Sequence, residues 1–362
     1  MAEGRELFRK IITSDELVKN INPKNIELFE RFLKNFATRR SPRSVKAYRS
    51  NYKIFLCWNE TYNDNKFFVD LKKYELMDFF DFAVTDMKWS PNRYAQVWSS
   101  LSSLSDWIEN VYDEKYPNFK NLVKHIEKMP KENVRKKSVF TKPELDVLMN
   151  WLGDNGYIQE QCVLALIMAS GTRVSEIVRF KTTFIDYNNT AFDDLFLETT
   201  EEMQVKGRGV NGKHILRYLI KDFFVPFYDK WLPIREEIMK KNGKEHDYIF
   251  ITSTGDPAQV STLRSWMRKW DDHLDKHWYP HAGRHFWTSY LLGIGLEAQL
   301  VQELQSWTSD TMVKIYNDNT AKDTKWKGLA KLKTALGKDE SVVNILDNDI
   351  ENTGESEENC DK

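Results

Sequence analysis

The sequence predicts a mainly α-helical protein of two domains, with a small β-sheet set into the second. Three observations carry that expectation. A chain of 362 residues exceeds what one ordinary core fills. Apolar residues over 24–113 recur every three to four positions, the period of a helix with one buried face. Alternation at a period of two, the mark of strands, is confined to short stretches between residues 203 and 252.

In chain order, residues 1–23 read as an N-terminal extension and 24–128 as an all-helical domain. IELFERFLKNF and SVKAYRSNYKIFLCW carry the helical period. Ser-Pro pairs at 41–42 and 90–91 mark helix starts, because serine accepts from the unpaired first N–H groups and proline suits the first helical position. Phe, Tyr and Trp at this spacing belong to a core rather than to a base-stacking surface. MPKENVRKKS, 129–138, combines a proline, polar residues and four bases, as an exposed linker does. The second domain then runs over 139–337. FTKPELDVLMNWL opens it with a Thr cap and Glu three positions on, and QCVLALIMASGTRVSEIVRF gives a buried helix, a glycine break and a second helix. MQVKGRG and KHILRYLI form two strands around Asn211-Gly212, a type I′ turn dipeptide, and DYIFIT at 247–252 reads as a further short strand. Helical periodicity returns from 260 to about 336, where DTKWKGLAKLKTAL carries an apolar stripe. The last stretch, 338–362, reads as an acidic disordered tail.

Charge is unevenly spread. The chain is formally −1. Residues 338–362 hold nine acids against two bases, and residues 1–140 hold 26 bases against 19 acids. The densest cluster, 31–53, has eight bases and no acid. Arg39, Arg40, Arg43, Lys46, Arg49 and Lys53, with Arg135, Lys136 and Lys137 of the linker, are therefore candidate nucleic-acid contacts; a solvated helix face is the plain alternative. Cys57, Cys162 and Cys360 lie far apart, which argues against a disulfide framework or zinc knuckle. No apolar run approaches the roughly 20 residues that span a bilayer, and MAEGRELFRK is charged where a signal peptide turns apolar. These features predict a soluble, intracellular protein with no membrane partner.

The chemistry concentrates in three segments. His273, His277, His281 and His285 recur every fourth residue, but Pro280 interrupts the helix that a metal-binding ladder needs, and Arg284 places a fixed positive charge beside any cation. No metal site is expected. His281 and Arg284 instead suit the first turn of a helix, gripping an anion. In SGTRVSE, Arg173 follows a buried helix and a Ser-Gly break. Glu176, one turn on, either pairs with Arg173 and fixes its fork or forms an ordinary surface salt bridge. Two arginines on separate rigid elements can clamp the non-bridging oxygens of one phosphodiester. SWTSDTMVKIYND adds Trp307 and, nine residues later, Tyr316.

SGTRVSE, a hairpin lysine, HAGRH, Trp307 and Tyr316, in this order and spacing, resemble the tyrosine recombinases, the superfamily of lambda integrase, Xer and Cre. The resemblance spans about residues 24–320, including the basic helical domain. It implies a helical core-binding domain joined to an α+β catalytic domain that cuts and rejoins double-stranded DNA through a 3′-phosphotyrosine on Tyr316. No ATP, metal or other cofactor is then required. Arg173 and Arg284 would bind the phosphate. Lys206, with Lys213 as the competitor, would protonate the leaving 5′-oxygen. His281 would assist proton transfer at the tyrosine, for which Tyr290 is the competitor. Trp307 would donate its indole N–H to a phosphate oxygen, Glu176 would orient Arg173 or His281, and His285 would pack or support. The resemblance further implies a homotetramer on two DNA sites, accessory DNA-bending proteins, and a place in a mobile element. A type IB topoisomerase and a catalytically silent DNA-binding protein of the same fold are the rival readings.

Overall fold

The computed structural model describes residues 12–130, 139–205, 211–279 and 281–307. They fall into two compact units, one comprising the chain up to Lys136 with Gln204–Lys213, the other Lys137–Met203 and the chain from His214.

The first unit is helical: α1 (Asp15–Asn20), α2 (Pro23–Ala37), α3 (Pro42–Tyr62), α4 (Lys73–Thr85) and α5 (Pro91–Val111). Ser41 and Ser90 cap α3 and α5 as the sequence predicts, each side-chain oxygen accepting from the backbone N–H three residues on, with proline at the first helical position. The aromatic residues form the core. Phe29 and Tyr52 meet edge to face at 4.5 Å and Phe55 and Phe79 at 5.0 Å, all four buried. The helical unit begins ahead of residue 24, since Ile12 and Ile21, at the two ends of α1, are buried in the same core.

In the second unit, α6 (Lys142–Asp154) starts at a Thr141–Glu144 capping box. The axis of the unit is α7 (Ile158–Ser170), every residue of which is buried from Glu160 to Ser170. Such a helix shows no amphipathic period because it is covered all round. Short α8 (Val174–Ile177) follows. Strands β1 (Thr190–Ala191), β2 (Phe196–Glu198) and β5 (Tyr218–Ile220) form an antiparallel sheet in the order β1-β2-β5, with Leu197 opposite Leu219. Strands β3 (Met203–Val205) and β4 (Lys213–Ile215), of which Gln204, Val205 and Lys213 are counted with the first unit, form a separate two-stranded sheet. The 22-residue α9 (Lys221–Asn242), with Pro226 and Pro233 in its interior, packs along α7. Then come α10 (Val260–Trp270), α11 (Ala282–Gly293) and α12 (Ala298–Leu304). No helix among the described residues is long and apolar enough to cross a membrane.

Two strand expectations are corrected. KHILRYLI is not one strand: it breaks at Leu216 and Arg217, and its halves join different sheets. DYIFIT forms no strand but two isolated bridges, Tyr248 to Lys181 and Ile251 to Pro257. Ile249, Phe250 and Ile251 are nonetheless almost fully buried. Their backbone groups find partners one at a time: Ile249 N donates to Phe180 O and Ile251 N to the Gln159 side chain, while Phe250 O accepts from Ala258 N. A short apolar run reads alike whether a ladder or separate partners satisfy its backbone. The apolar stripe at 323–336 and the acidic tail lie outside the described residues.

The crossing of α11 over α7 depends on Gly283, where a Cβ would overlap Ile167 Cγ2, whereas at Gly293 nothing lies within 4 Å. We expect Gly283→Ala to lower stability by about 1–3 kcal/mol through overpacking. Gly293→Ala should be neutral or stabilising by up to about 1 kcal/mol. Denaturant unfolding of the two variants checks the pair.

Candidate active site

The site forms where α7 ends. Gly171 caps the helix with φ +58°, a left-handed turn that costs glycine nothing, and a Cβ there would meet Gln305 Nε2 and Trp287. The chain thus reverses sharply and sets Arg173 at the N-cap of α8. The Glu176 side chain reaches back to the Arg173 backbone N–H at 3.3 Å and accepts from Arg173 Nη1 at 2.8 Å through Oε1. Its other oxygen, Oε2, accepts from Arg217 Nη2. Glu176 and Arg217 are each 1% exposed, while the Arg173 side chain is 23% exposed. The surface salt bridge is therefore not what Glu176 makes; the carboxylate is buried between two guanidiniums.

The second arginine arrives on the first turn of α11. Arg284 is 2% exposed, and its Nη2 donates to Gln305 Oε1, which also accepts from Arg217 Nη1 at 3.4 Å. Gln305 Nε2 in turn donates to Ser170 O at 2.6 Å, and Trp287 Nε1 donates to Ala169 O at 3.0 Å. The last carbonyls of α7 thereby anchor both α11 and the residue following α12. The Trp307 ring lies over the Arg284 guanidinium, 5.1 Å from its carbon to the ring centroid, a stacked cation–π contact. His281 is the exposed N-cap of α11, and His285 is buried with the Tyr279 ring 5.7 Å away.

Electrostatics follow from these contacts. Burial pushes the Glu176 carboxyl up, but the charges of Arg217, Arg173 and Arg284 outweigh it and hold the group below its ordinary value, so it is ionised at neutral pH. Burial pulls the Arg217 guanidinium down from its ordinary value, Glu176 opposes that pull, and Arg173 adds to it. A guanidinium keeps its proton throughout. Three guanidiniums and one carboxylate leave an excess of two positive charges, which suits an anion.

The fold thus brings together Arg173, Glu176, Arg284 and Trp307, with His281 and His285 on the same helix as Arg284. Lys206 and Tyr316 lie outside the described residues, as do Arg135, Lys136 and Lys137. Of the competitors, Lys213 is exposed at the start of β4, and Tyr290 packs against Phe286 and Phe223 at 5.5 and 5.7 Å. His273 stacks on Trp151, and His277 Nδ1 meets Asp271 at 2.9 Å. Among the described residues no group of three His, Cys, Asp or Glu side chains is placed to hold a metal.

Sequence reading missed Arg217 and Gln305. A signal existed for Arg217: Ile215, Arg217 and Leu219 alternate on the buried face, and an arginine there requires a partner. Gln305 carries no such signal, because a glutamine just past a helix end is ordinary. In the first unit the basic run is less free than its sequence implies. Arg39, Arg40, Arg43 and Lys46 are exposed, but Arg49 pairs with Glu30 through both nitrogens, and Lys53 lies 3.8 Å from Asp15. These acids come from outside the 31–53 cluster.

The model of the phage integrase family matches residues 138–323, more than half of the chain. This chain belongs to the phage integrase family. Among its relatives, the SPbeta prophage-derived recombinase-like protein YomM of Bacillus subtilis (strain 168) is 23% identical over 316 residues, 84% of this chain and 90% of that protein. A tyrosine recombinase of Thermosipho africanus (strain TCF52B) is 25% identical over 296 residues, covering 81% and 94%. The fold is that of a lambda integrase tetramer bound to a Holliday junction, with a TM-score of 0.58 at 15% identity, over 80% of this chain and 76% of that one. It is equally that of the Tn1549 transposon integrase in complex with transposon right end DNA, with a TM-score of 0.58 at 12% identity, over 84% and 99%. The family that SGTRVSE, HAGRH and Tyr316 resemble is the family that these comparisons give, and its helical architecture with a small antiparallel sheet is the one found here.

In this member of the phage integrase family, the Glu176 carboxyl has a folded pKa depressed below its unfolded value. Its ionised form therefore adds stability at pH above the ordinary glutamate range, and that contribution is lost as pH falls through the folded value. Glu176→Gln removes the charge at every pH and leaves Arg217 buried beside a neutral amide. We expect the variant to be about 3 kcal/mol less stable at neutral pH, with the difference from wild type shrinking at acid pH. Unfolding of both proteins across pH measures this; a difference that grows with acid would contradict it.

Proposed function

We propose that the protein is a site-specific DNA recombinase that cleaves and rejoins double-stranded DNA through a covalent 3′-phosphotyrosine. The observation that carries the reading is the pair Arg173 and Arg284, arriving on separate helices and tied to one buried hub of Glu176, Arg217 and Gln305. Donors held in this way lose little freedom when they meet a phosphodiester, and they neutralise charge where the pentavalent transition state develops it.

In this mechanism the Tyr316 oxygen attacks phosphorus while the bond from phosphorus to the 5′-oxygen breaks. Lys206 gives the leaving oxygen its proton, with Lys213 the weaker candidate, and His281, exposed at the helix N-cap, takes the proton from Tyr316. Attack by a 5′-hydroxyl on the phosphotyrosine reverses the step and reseals the strand. The phosphodiester energy is kept in the covalent bond, so the chemistry calls for neither ATP nor metal. Trp307 holds the Arg284 guanidinium under its ring, and its indole N–H is a further donor for a phosphate oxygen. Glu176 orients Arg173, and His285 supports α11 from its buried position. Arg39, Arg40, Arg43 and Lys46 are the stronger phosphate-backbone contacts; Arg49 and Lys53 first have to leave an acid.

Recombination needs two duplexes, and the lambda integrase neighbour is a tetramer on a Holliday junction. We assign this chain the same assembly on two DNA sites, associated with DNA inside the cell.

Tyr316→Phe should abolish covalent capture of a nicked duplex, with DNA affinity within about twofold of wild type, since only the nucleophile is lost. Adducts resolved in denaturant after incubation with labelled duplex report the result. Adduct formation by Tyr316→Phe but not by Tyr290→Phe would move the nucleophile to Tyr290. Relaxation of supercoils without joining of two duplexes would replace recombination by topoisomerase activity.

A further inference from the structure

Arg217 is buried, at 1% exposure, and its two terminal nitrogens meet the partners of both arginines that the proposed mechanism uses. Through Nη2 it holds Oε2 of Glu176, whose Oε1 holds Arg173. Through Nη1 it meets Oε1 of Gln305, the same atom that Arg284 meets. We infer that Arg217 is a positioning residue that sets the two phosphate-facing guanidiniums at once. This inference rests on the recombinase reading above.

Hydrogen-bond capacity decides how the guanidiniums divide their partners. A carboxylate with a single arginine partner favours the bidentate fork, in which two parallel N–H groups meet its two oxygens. In that arrangement Arg173 would turn a whole edge of its guanidinium toward Glu176. Because Arg217 occupies Oε2, only Oε1 remains for Arg173, which gives Glu176 its Nη1 and keeps Nη2 and Nε for an anion. The same division operates at Gln305. Its single carbonyl oxygen is shared between Arg217 and Arg284, and its amide is fixed on Ser170 O, so the oxygen cannot swing away with Arg284. Arg217 also contributes charge. Glu176 alone would cancel one of the two outer arginines, and Arg217 restores the excess behind them.

A purely structural role and a positioning role differ in what they do to the reacting phosphate. A racemic methylphosphonate at the scissile position removes the negative charge that Arg173 and Arg284 neutralise, and leaves the duplex otherwise intact. Single-turnover adduct formation is to be measured for wild type, Arg217→Met and Arg217→Lys on both substrates. On the natural phosphate we expect Arg217→Met to be slower by about 100-fold, the scale of a misplaced catalytic group. Its DNA affinity should stay within about twofold of wild type. On the methylphosphonate the loss should shrink to less than about fivefold, because the misplaced donors have no charge to neutralise. Arg217→Lys keeps the charge but reaches one partner at a time. It should lose less on the phosphate and converge on the methylphosphonate likewise, and it supplies the comparison if Arg217→Met does not fold. Equal losses on the two substrates, or no loss on the phosphate in a folded variant, would overturn the role of Arg217. Absence of adduct with wild type would overturn the recombinase reading and this inference together.

Discussion

A carboxylate buried to 1% exposure must be compensated, and in this protein Glu176 is compensated by arginines. Leaving a buried charge without a partner costs about 3–5 kcal/mol, so Glu176 requires its guanidiniums in place before any ligand arrives. The requirement works in both directions. Arg217 is equally buried and equally dependent on the carboxylate, and Arg173 is drawn to the remaining oxygen. Stability and readiness to bind an anion therefore come from the same contacts, and the excess of positive charge that repels itself in the free protein is what the phosphodiester of the proposed mechanism would relieve.

The scaffold serves that arrangement. α7 is covered on every side and gives its terminal carbonyls to the site: Ala169 O to Trp287 and Ser170 O to Gln305. Gly171 turns the chain so that Arg173 caps α8, and Gly283 lets α11 lie close enough for Arg284 to share Gln305 with Arg217. The residue that binds the two arginines together from the far side, Gln305, follows α12 and stands two positions before Trp307. Arg217, Arg284 and the last carbonyl of α7 thus meet at one amide.

Much of this was legible in the sequence, and the part that was not has physical causes. Ser41-Pro42, Ser90-Pro91 and Thr141 with Glu144 announced helix starts because capping is local. Arg173 and Arg284 stood out because their neighbours, a glycine break and a helix opening, are local too. Arg217 and Gln305 act only through tertiary contacts 41 and 21 residues away, to Glu176 and Arg284. The break between β4 and β5 escaped notice because Ile215, Arg217 and Leu219 keep one period across it. DYIFIT shows the opposite failure, since strand composition there reflects burial and not a ladder. The 31–53 basic run looked wholly unpaired because Glu30 and Asp15 lie ahead of it in the chain, Asp15 a whole helix earlier.

In the proposed mechanism Arg173 and Arg284 converge on a single phosphodiester. Side-chain ¹⁵N resonances of arginine, followed while an uncleavable duplex is titrated into Tyr316→Phe protein, read this convergence directly. The guanidinium signals of Arg173 and Arg284, assigned by substitution, are expected to shift together and saturate at the same DNA ratio. A duplex neutral at the scissile position should leave both near their free positions. A shift of Arg173 alone, with Arg284 unmoved under Trp307, would contradict the convergence.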